Sequence, residues 1–258
     1  MALLVAACSG TAPSDSATRA GSSDSPTTAE EKLAGAIAQQ LKSGPEYSAV
    51  RAILVTVKGR TVFEKYYSTT AGEYRNAYSV TKSVMSTLIG IAVGEGRLRL
   101  DDTLAELLPA YAARMTPVVA RITLRQVLTM TAGFPGAIDD AALGFTTTPD
   151  WVADILQHQS GTPGQWFAYS NGGSHLLSAI LVNATGMPVL QYARARLFDP
   201  LGIVTRPALE PRYDVAGSMD AYLAAGFAWT VDPQRRHTGF TGLKLRPREM
   251  VKLGMLFL

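Results

Sequence analysis

Two short patterns place side chains suited to nucleophilic chemistry within reach of each other. Ser79 and Lys82 are three residues apart at the head of an apolar stretch, so on a helix they share one face. A serine hydroxyl needs a neighbouring base, and an apolar surrounding favours the neutral, basic form of a lysine. The free N–H groups of a helix start would favour a developing oxyanion. Alone, Ser-x-x-Lys is expected about once by chance at this composition, and a capping serine beside a solvated lysine explains it equally well.

The second pattern is Tyr169-Ser170-Asn171, which lies between Pro163-Gly164 and Gly172-Gly173. A tyrosine and an asparagine two residues apart in a loop can point towards one cleft. The tyrosine hydroxyl can pass a proton, and the asparagine amide can both donate and accept a hydrogen bond. Taken alone, the pattern favours the simpler interpretation, a turn beside a packed tyrosine.

Together the two patterns resemble the serine β-lactamase and penicillin-binding protein superfamily, most closely its class C and esterase-like branch, which includes D-alanyl-D-alanine peptidases. Members carry Ser-x-x-Lys at the head of a buried helix and a later Tyr-x-Asn from a helical region. The likeness runs from residue 48 to residue 258. Besides the two patterns, it is carried by residues 58–64, 96–102, 122–133, 198–203 and 245–249.

The resemblance implies a serine hydrolase that works through an acyl-enzyme on an ester, amide or lactam carbonyl. Ser79 would attack, Lys82 would take its proton, and Tyr169 would relay a proton to the leaving group. Asn171 would hold Lys82 and a substrate amide, and the Ser79 N–H would supply one oxyanion donor. No cofactor or metal is implied. Small esters are expected to be better substrates than penicillins.

This sequence differs from the family pattern at the third motif. In the family, a Lys- or His-led triad ending in Gly follows the segment that corresponds to residues 245–258. Here His237-Thr238-Gly239 precedes that segment, so we interpret it as a loop that only imitates the triad. The C-terminal strands of the family are therefore expected to be missing, and the chain is expected to turn over little substrate. The alternative is a naturally shorter variant in which His237 serves the triad.

Periodicity and turn residues predict the elements that position these patterns. A capping box at Thr28 and Glu31 starts a first helix. Residues 49–57 and 61–67 read as a hairpin around Lys58-Gly59. Residues 79–94 read as a buried central helix, because no charged residue follows Lys82. Further helices are predicted at residues 104–108, 123–130, 151–158, 174–185, 190–197 and 246–258, and a strand at residues 225–231.

The predicted fold class is α/β plus all-α, a β-lactamase/transpeptidase-like antiparallel sheet with flanking helices and an inserted helical region. Residues 1–28 are predicted to be a lipoprotein signal remnant and flexible linker, and residues 29–258 one domain. Within that domain, residues 29–75 would begin the α/β region and residues 76–215 would form the helical region. Residues 216–258 would return, incompletely, to the α/β region.

Cys8 is the chain's only cysteine, and it ends an apolar stretch with Val5-Ala6-Ala7. This resembles a bacterial lipobox, although basic residues before the apolar run are missing. Residues 9–28 are rich in Ser, Thr, Ala and Gly, which predicts a flexible tether. We therefore expect lipid attachment at Cys8, a membrane contact through that lipid, and a place in the cell envelope outside the cytoplasm. The alternative is an apolar N-terminus with a chance cysteine.

Composition bounds the remaining classes of function. The formal net charge is only +3, which gives no case for nucleic-acid binding. His158 and His175 have no partners at metal-ligand spacing and are expected on the surface or on helices. The absence of Gly-x-Ser-x-Gly argues against an α/β-hydrolase. Two alternatives to a hydrolase stay open: a penicillin-binding-like module that recognises peptidoglycan peptides without turnover, and a helical lipoprotein with chance motifs.

Overall fold

A computed structural model describes residues 28–136 and 144–258 of the chain. Cys8 and residues 9–27 of the predicted tether lie outside the described residues. The described chain divides into two compact units. One unit comprises the residues up to Glu73 together with Arg246–Leu258, and the other comprises Tyr74–Leu245. The predicted subdivision at residues 76 and 216 stays a prediction.

Helices dominate the described residues. In chain order the α-helices are α1 Thr28–Gln40, α2 Val80–Gly94, α3 Leu104–Leu107, α4 Pro117–Ala120, α5 Leu124–Leu128, α6 Trp151–Gln157, α7 Asn171–Thr185, α8 Val189–Ala193, α9 Ser218–Ala224 and α10 Pro247–Gly254. Shorter turns of 3-10 helix lie at Pro45–Ala49, Pro109–Arg114, Phe145–Thr147 and Met255–Phe257, and a π-helical turn at Arg194–Phe198. The strands are β1 Ala52–Val57, β2 Arg60–Tyr66, β3 Arg75–Asn76 and β4 Lys244–Leu245.

The predicted hairpin is present in the first unit. β1 and β2 pair antiparallel, with Ala52 opposite Tyr66 and Val57 opposite Arg60. Lys58 and Gly59 connect them with φ values of 47° and 80°, the left-handed pair that a two-residue hairpin turn requires. The first strand begins at Ala52 rather than at the predicted residue 49, because Pro45–Ala49 forms a 3-10 turn.

Helix α10 completes the core of the first unit by packing on β1. Val251 of α10 joins Ala52 and Leu54 in a buried cluster, against which Tyr66 and Met255 are partly buried. The apolar side chains of a single hairpin bury little area alone, so this helix supplies the second layer that the hairpin needs. The predicted helix over residues 246–258 thus exists as α10, and a 3-10 turn follows it.

Helices α2 and α7 form the centre of the second unit, where they pack against each other. Lys82, Met85 and Ile89 lie on the buried face of α2, and residues 172–181 of α7 are all buried. The predicted central helix is therefore confirmed. The entry to α2 is fixed by the short pair of β3 and β4, in which Asn76 lies opposite Lys244.

The predicted strand at residues 225–231 is wrong as a regular strand. Its first residue ends helix α9, which the sequence reading missed. Its later part is extended and buried, and its backbone pairs on both sides. On one side it bonds in parallel to residues 209–213, and on the other it bonds antiparallel to residues 242–244. Each pairing covers only a few residues and is recorded as isolated bridges, so neither makes a regular strand.

No single helix in residues 28–136 and 144–258 is long and apolar enough to cross a bilayer. One bent pair, Asn171–Thr185 with Val189–Phe198, passes by length and composition taken together.

Candidate active site

The main chain turns sharply just before α2, and this turn sets the position of Ser79. Tyr78 has a φ of 46°, a left-handed conformation that is uncommon for a residue other than glycine. The Tyr78 N–H donates to Asn76 Oδ1 over 2.9 Å, which holds the turn. Ser79 occupies the N-cap position of α2, but its side chain makes no capping hydrogen bond. The Ser79 hydroxyl therefore does not cap the helix, and the residue is exposed.

Lys82 lies one turn further along α2, with only 9% of its surface exposed. Its Nζ is 3.2 Å from Ser79 Oγ, 2.8 Å from Asn171 Oδ1 and 3.1 Å from the carbonyl oxygen of Phe240. A buried ammonium or amine needs such partners, because an unpaired one would carry a large desolvation cost. Lys82 is thus the point at which the separate parts of the site meet.

Asn171 is brought to Lys82 by the start of α7. The Ser170 hydroxyl caps this helix by accepting from the Gly173 N–H over 3.0 Å, and the Ser174 hydroxyl donates to the Ser170 carbonyl over 2.8 Å. These bonds start the helix at Asn171, three residues before the predicted start at residue 174. The second sequence pattern is therefore a helix N-terminus rather than a free loop.

Tyr169 precedes this cap and lies over Lys82. The Lys82 Nζ is 4.7 Å from the centroid of the Tyr169 ring, and the Tyr169 hydroxyl is hydrogen-bonded to Ser79 and Lys82. Burial raises the pKa of the Tyr169 hydroxyl, but the bonds to Ser79 and Lys82 and the lysine charge outweigh burial and lower it below its usual value. Ser79, Lys82, Tyr169 and Asn171, which the two patterns singled out, are thus brought together.

Phe240 is a fifth member of this cluster, and the sequence reading did not identify it. It contributes a main-chain carbonyl to Lys82, while its side chain is buried. The ring is packed between other rings, with centroid distances of 5.8 Å to Phe145 and 5.6 Å to Tyr213. A residue that acts through its main chain leaves no signature in its residue type, so no sequence pattern pointed to it.

The imitated triad lies directly before Phe240. His237 is buried, with its Nε2 3.3 Å from Glu210 Oε2 and its ring centroid 5.1 Å from that of Trp229. The Thr238 hydroxyl lies 2.7 Å from that of Thr230. These side chains contact Glu210, Trp229 and Thr230 within the same unit. That the segment is a loop that only imitates the triad stays a prediction.

His175 departs from its sequence interpretation. It lies on a helix, as expected, but it is fully buried, so a surface position is wrong for it. Its Nε2 is 3.1 Å from Asp232 Oδ2, and its Nδ1 accepts from the Gly239 N–H over 3.3 Å. Its partners are 57 and 64 residues away, which sequence spacing could not reveal. One signal was available: His175 is four residues after Asn171, which places both on one face of α7.

Within residues 28–136 and 144–258, no three His, Cys, Asp or Glu side chains are grouped so that they could hold a metal ion.

Comparison with known proteins gives this arrangement a family. Residues 37–257 match the family described as Beta-lactamase. Penicillin-binding protein 4 of Amycolatopsis lactamdurans is 32% identical over 150 residues, which are 54% of this chain and 38% of that protein. The match thus spans well under half of that relative's length.

Two solved structures share the fold. The octameric penicillin-binding protein homologue from Pyrococcus abyssi has a TM-score of 0.62 at 20% identity, over 88% of this chain and 56% of that one. The β-lactamase/D-alanine carboxypeptidase from Pseudomonas syringae also has a TM-score of 0.62, at 19% identity, over 88% and 65% of the two chains. These neighbours confirm the predicted β-lactamase/transpeptidase-like fold, and the family match shows that this chain belongs to the beta-lactamase family.

Proposed function

We propose that this chain is a serine hydrolase in which Ser79 attacks an ester, amide or lactam carbonyl and forms an acyl-enzyme. The observation that carries the proposal is the hydrogen bonding of Lys82. Two of its partners, Asn171 Oδ1 and the Phe240 carbonyl, can only accept. A neutral lysine amine has two N–H groups and one lone pair. If the two acceptors take the two N–H groups, the lone pair is left to accept from a hydroxyl, and the Ser79 and Tyr169 hydroxyls both lie within reach of it.

This arrangement supports a direct proton transfer. Ser79 Oγ lies 3.2 Å from Lys82 Nζ, a distance at the upper end of the hydrogen-bond reach of a general base. As Ser79 Oγ bonds to the carbonyl carbon, its proton passes to Lys82. The Ser79 N–H at the head of α2 supports an oxyanion donor role, because helix N-termini favour negative charge.

Tyr169 is proposed to pass a proton to the leaving group as the acyl bond breaks. Its hydroxyl bonds to both Ser79 and Lys82, and its lowered pKa makes it a better acid than an ordinary phenol. Its ring is 40% exposed, so the hydroxyl lies where a substrate can reach it. Asn171 is proposed to hold Lys82 and to bind an amide of the substrate.

A second candidate is a penicillin-binding-like module that is acylated or occupied by peptidoglycan peptides without turnover. The name of the Amycolatopsis relative, a penicillin-binding protein, favours this candidate. It uses the same four side chains as the hydrolase and differs only in whether the acyl-enzyme is hydrolysed. For either function we propose that the chain acts in the cell envelope, anchored through lipid on Cys8.

Intact mass after incubation with a fluorophosphonate and, separately, with a penicillin tests the proposal. We expect one adduct on the wild-type chain and none on Ser79→Ala. Ser83→Ala is the matched control, because Ser83 is an exposed serine on the same helix. Persistent labelling of Ser79→Ala would refute the assignment of the nucleophile. Loss of the penicillin adduct with time indicates a hydrolase, and a penicillin adduct that persists indicates the binding module.

A further inference from the structure

The second unit contains a buried histidine–carboxylate pair that the proposed reaction does not itself use. His175 and Asp232 are both fully buried. His175 Nε2 lies 3.1 Å from Asp232 Oδ2, and Asp232 Oδ1 accepts from the Arg236 main-chain N–H over 2.7 Å. The Arg236 guanidinium approaches Asp232 Oδ2 at 3.5 Å. Burial raises the pKa of the Asp232 carboxyl, but the His175 ring and Arg236 outweigh it and hold the pKa below its usual value. The pair is therefore an imidazole held by a carboxylate.

The partners of the imidazole determine which ring nitrogen carries the proton. The Gly239 N–H can only donate, so His175 Nδ1, 3.3 Å away, must accept. The proton of the neutral ring then lies on Nε2, where Asp232 Oδ2 accepts it. Asp232 thus selects the tautomer that can bind the Gly239 peptide, in the way that carboxylates orient histidines in other sites.

Gly239 lies so close to α7 that no other residue fits. A Cβ at position 239 would come within 2.3 Å of the Ser174 carbonyl oxygen and 3.0 Å of His175 Cα. The neighbouring atoms belong to the helix backbone, which cannot move aside cheaply. Gly239 is consequently pinned to the start of α7 by close contact at its Cα and by the bond from its N–H, in the Thr238–Gly239 peptide, to His175.

The next residue, Phe240, reaches the proposed catalytic lysine through the Phe240–Thr241 peptide. Its carbonyl oxygen accepts from Lys82 Nζ over 3.1 Å. The Phe240 ring also packs edge-on against His175, with centroids 6.2 Å apart. His175 therefore contacts both the Gly239 N–H and the ring of Phe240, and the Phe240 carbonyl, in the peptide that follows, faces Lys82.

We propose that His175 and Asp232 are positioning residues, which hold the Phe240 carbonyl against Lys82 and so keep the Lys82 lone pair turned towards the Ser79 and Tyr169 hydroxyls. The inference rests on the proposed function, because it assigns the pair a task in activating Ser79. Without the Phe240 acceptor, the Lys82 amine could rotate one N–H towards Ser79 Oγ, and the lone pair would then point elsewhere. Neither residue touches the reacting atoms.

Two substitutions of His175 separate this role from a structural one. In His175→Asn, the amide oxygen takes the place of Nδ1 and can still accept from the Gly239 N–H. In His175→Gln, the longer amide reaches the place of Nε2 and keeps a donor for Asp232, but leaves Gly239 without an acceptor. The measurement is the rate of Ser79 labelling by a fluorophosphonate on the whole chain, as a function of probe concentration, with melting temperatures alongside.

We expect the maximal labelling rate of His175→Gln to fall roughly 10- to 100-fold, the effect of losing one hydrogen bond at a charged or catalytic group. The probe concentration at half-maximal rate should stay unchanged, and His175→Asn should recover most of the rate. The control is His158→Gln, since His158 bonds to Asp154 in the same unit and should label like the wild type. A His175→Gln rate equal to the wild-type rate would overturn the inference, as would equal losses in both variants that follow their melting temperatures.

Gly239→Ala provides an independent arm, because it displaces the residue before Phe240 while His175 stays intact. We expect a folded Gly239→Ala chain to show the same fall in maximal rate. Unchanged labelling in a folded Gly239→Ala chain would overturn the inference. If the wild-type chain itself is not labelled at Ser79, the proposed function fails, and that result is distinct from a failure of His175 to matter.

Discussion

The chemistry proposed for this site depends on the small number of N–H groups on the lysine nitrogen, which is less than the number of its partners. Lys82 is surrounded by two acceptors and two hydroxyls, and only the hydroxyls can either donate or accept. The acceptors therefore decide the orientation of the amine, and the hydroxyls adapt to it. A site built in this way can switch the direction of the Ser79 hydrogen bond without moving any heavy atom.

Replacing Tyr169 by phenylalanine tests whether its hydroxyl serves the leaving group. An amide leaving group needs a proton, whereas p-nitrophenolate leaves readily without one. We expect Tyr169→Phe to slow single-turnover release of p-nitroaniline from an anilide by about 10²–10⁴, the usual contribution of general acid catalysis. Release of p-nitrophenol from the matching ester should fall much less.

The control for this prediction is Tyr192→Phe, which removes a hydroxyl that bonds to Glu95 instead. It should leave both release rates unchanged. If Tyr169→Phe slowed the ester and the anilide by the same factor, Tyr169 would act on Ser79 or Lys82 and not on the leaving group.

The sequence predicted the side chains of the candidate site, but it did not predict the residues proposed to hold them in place. Ser-x-x-Lys on a helix brings two groups together by local geometry, so the spacing alone predicted that contact. The meeting of Lys82 with Asn171 spans 89 residues and followed only from the family resemblance. The Phe240 carbonyl and the His175–Asp232 pair could not be predicted, because a main-chain acceptor has no residue type and a distant pair has no spacing.

At the scale of elements, α2 joins the core to the candidate site. Its N-terminus carries Ser79, and its buried face carries Met85, Leu88 and Ile89, none of which exposes any surface. The same helix therefore anchors the unit and aims the proposed nucleophile. The turn at Tyr78, which precedes this helix, is strained. It can persist because the β3–β4 pair fixes Asn76 and the Asn76 side chain accepts from the Tyr78 N–H.

Met85→Ala tests how much the buried face of α2 contributes to the stability of the second unit. Deleting a fully buried methionine side chain removes apolar contacts and leaves a cavity, so we expect a loss of about 2–5 kcal/mol in the free energy of unfolding. Urea unfolding followed by circular dichroism measures it. Ser86→Ala, on the exposed face of the same helix, should change the value by less than about 0.5 kcal/mol. A loss for Met85→Ala as small as that of the control would show that the face is loosely packed.

Elements with local signals were predicted well, and elements with distant partners were not. The hairpin follows from its turn residues, and α2 follows from its long apolar run. The extended segment at residues 225–231 has the same composition as a strand, but the segments it pairs with, residues 209–213 and 242–244, are short and could not be predicted from its own sequence.

At the scale of the molecule, the fold was predicted through resemblance rather than periodicity. Periodicity predicted helices and a hairpin but not the way they pack, which depends on contacts far apart in sequence. The family match covers residues 37–257 and therefore both described units. Residues 1–36 precede that match, so what they do is a separate question from the hydrolase site.

Lipid attachment at Cys8 is the prediction that belongs to that N-terminal part. Val5-Ala6-Ala7-Cys8 presents small residues before a cysteine, as a lipoprotein signal does. Each buried methylene of a lipid chain contributes about 0.8 kcal/mol, so one acyl chain binds a membrane only marginally and two hold it firmly. If residues 1–258 are expressed in a bacterium with an alkyne-tagged fatty acid, we expect the tag on the chain and the chain in the membrane fraction. Cys8→Ser should lose both, whereas Ser9→Ala should keep both. An untagged wild-type chain in the soluble fraction would contradict the prediction without touching the Ser79 site, because the two depend on different residues.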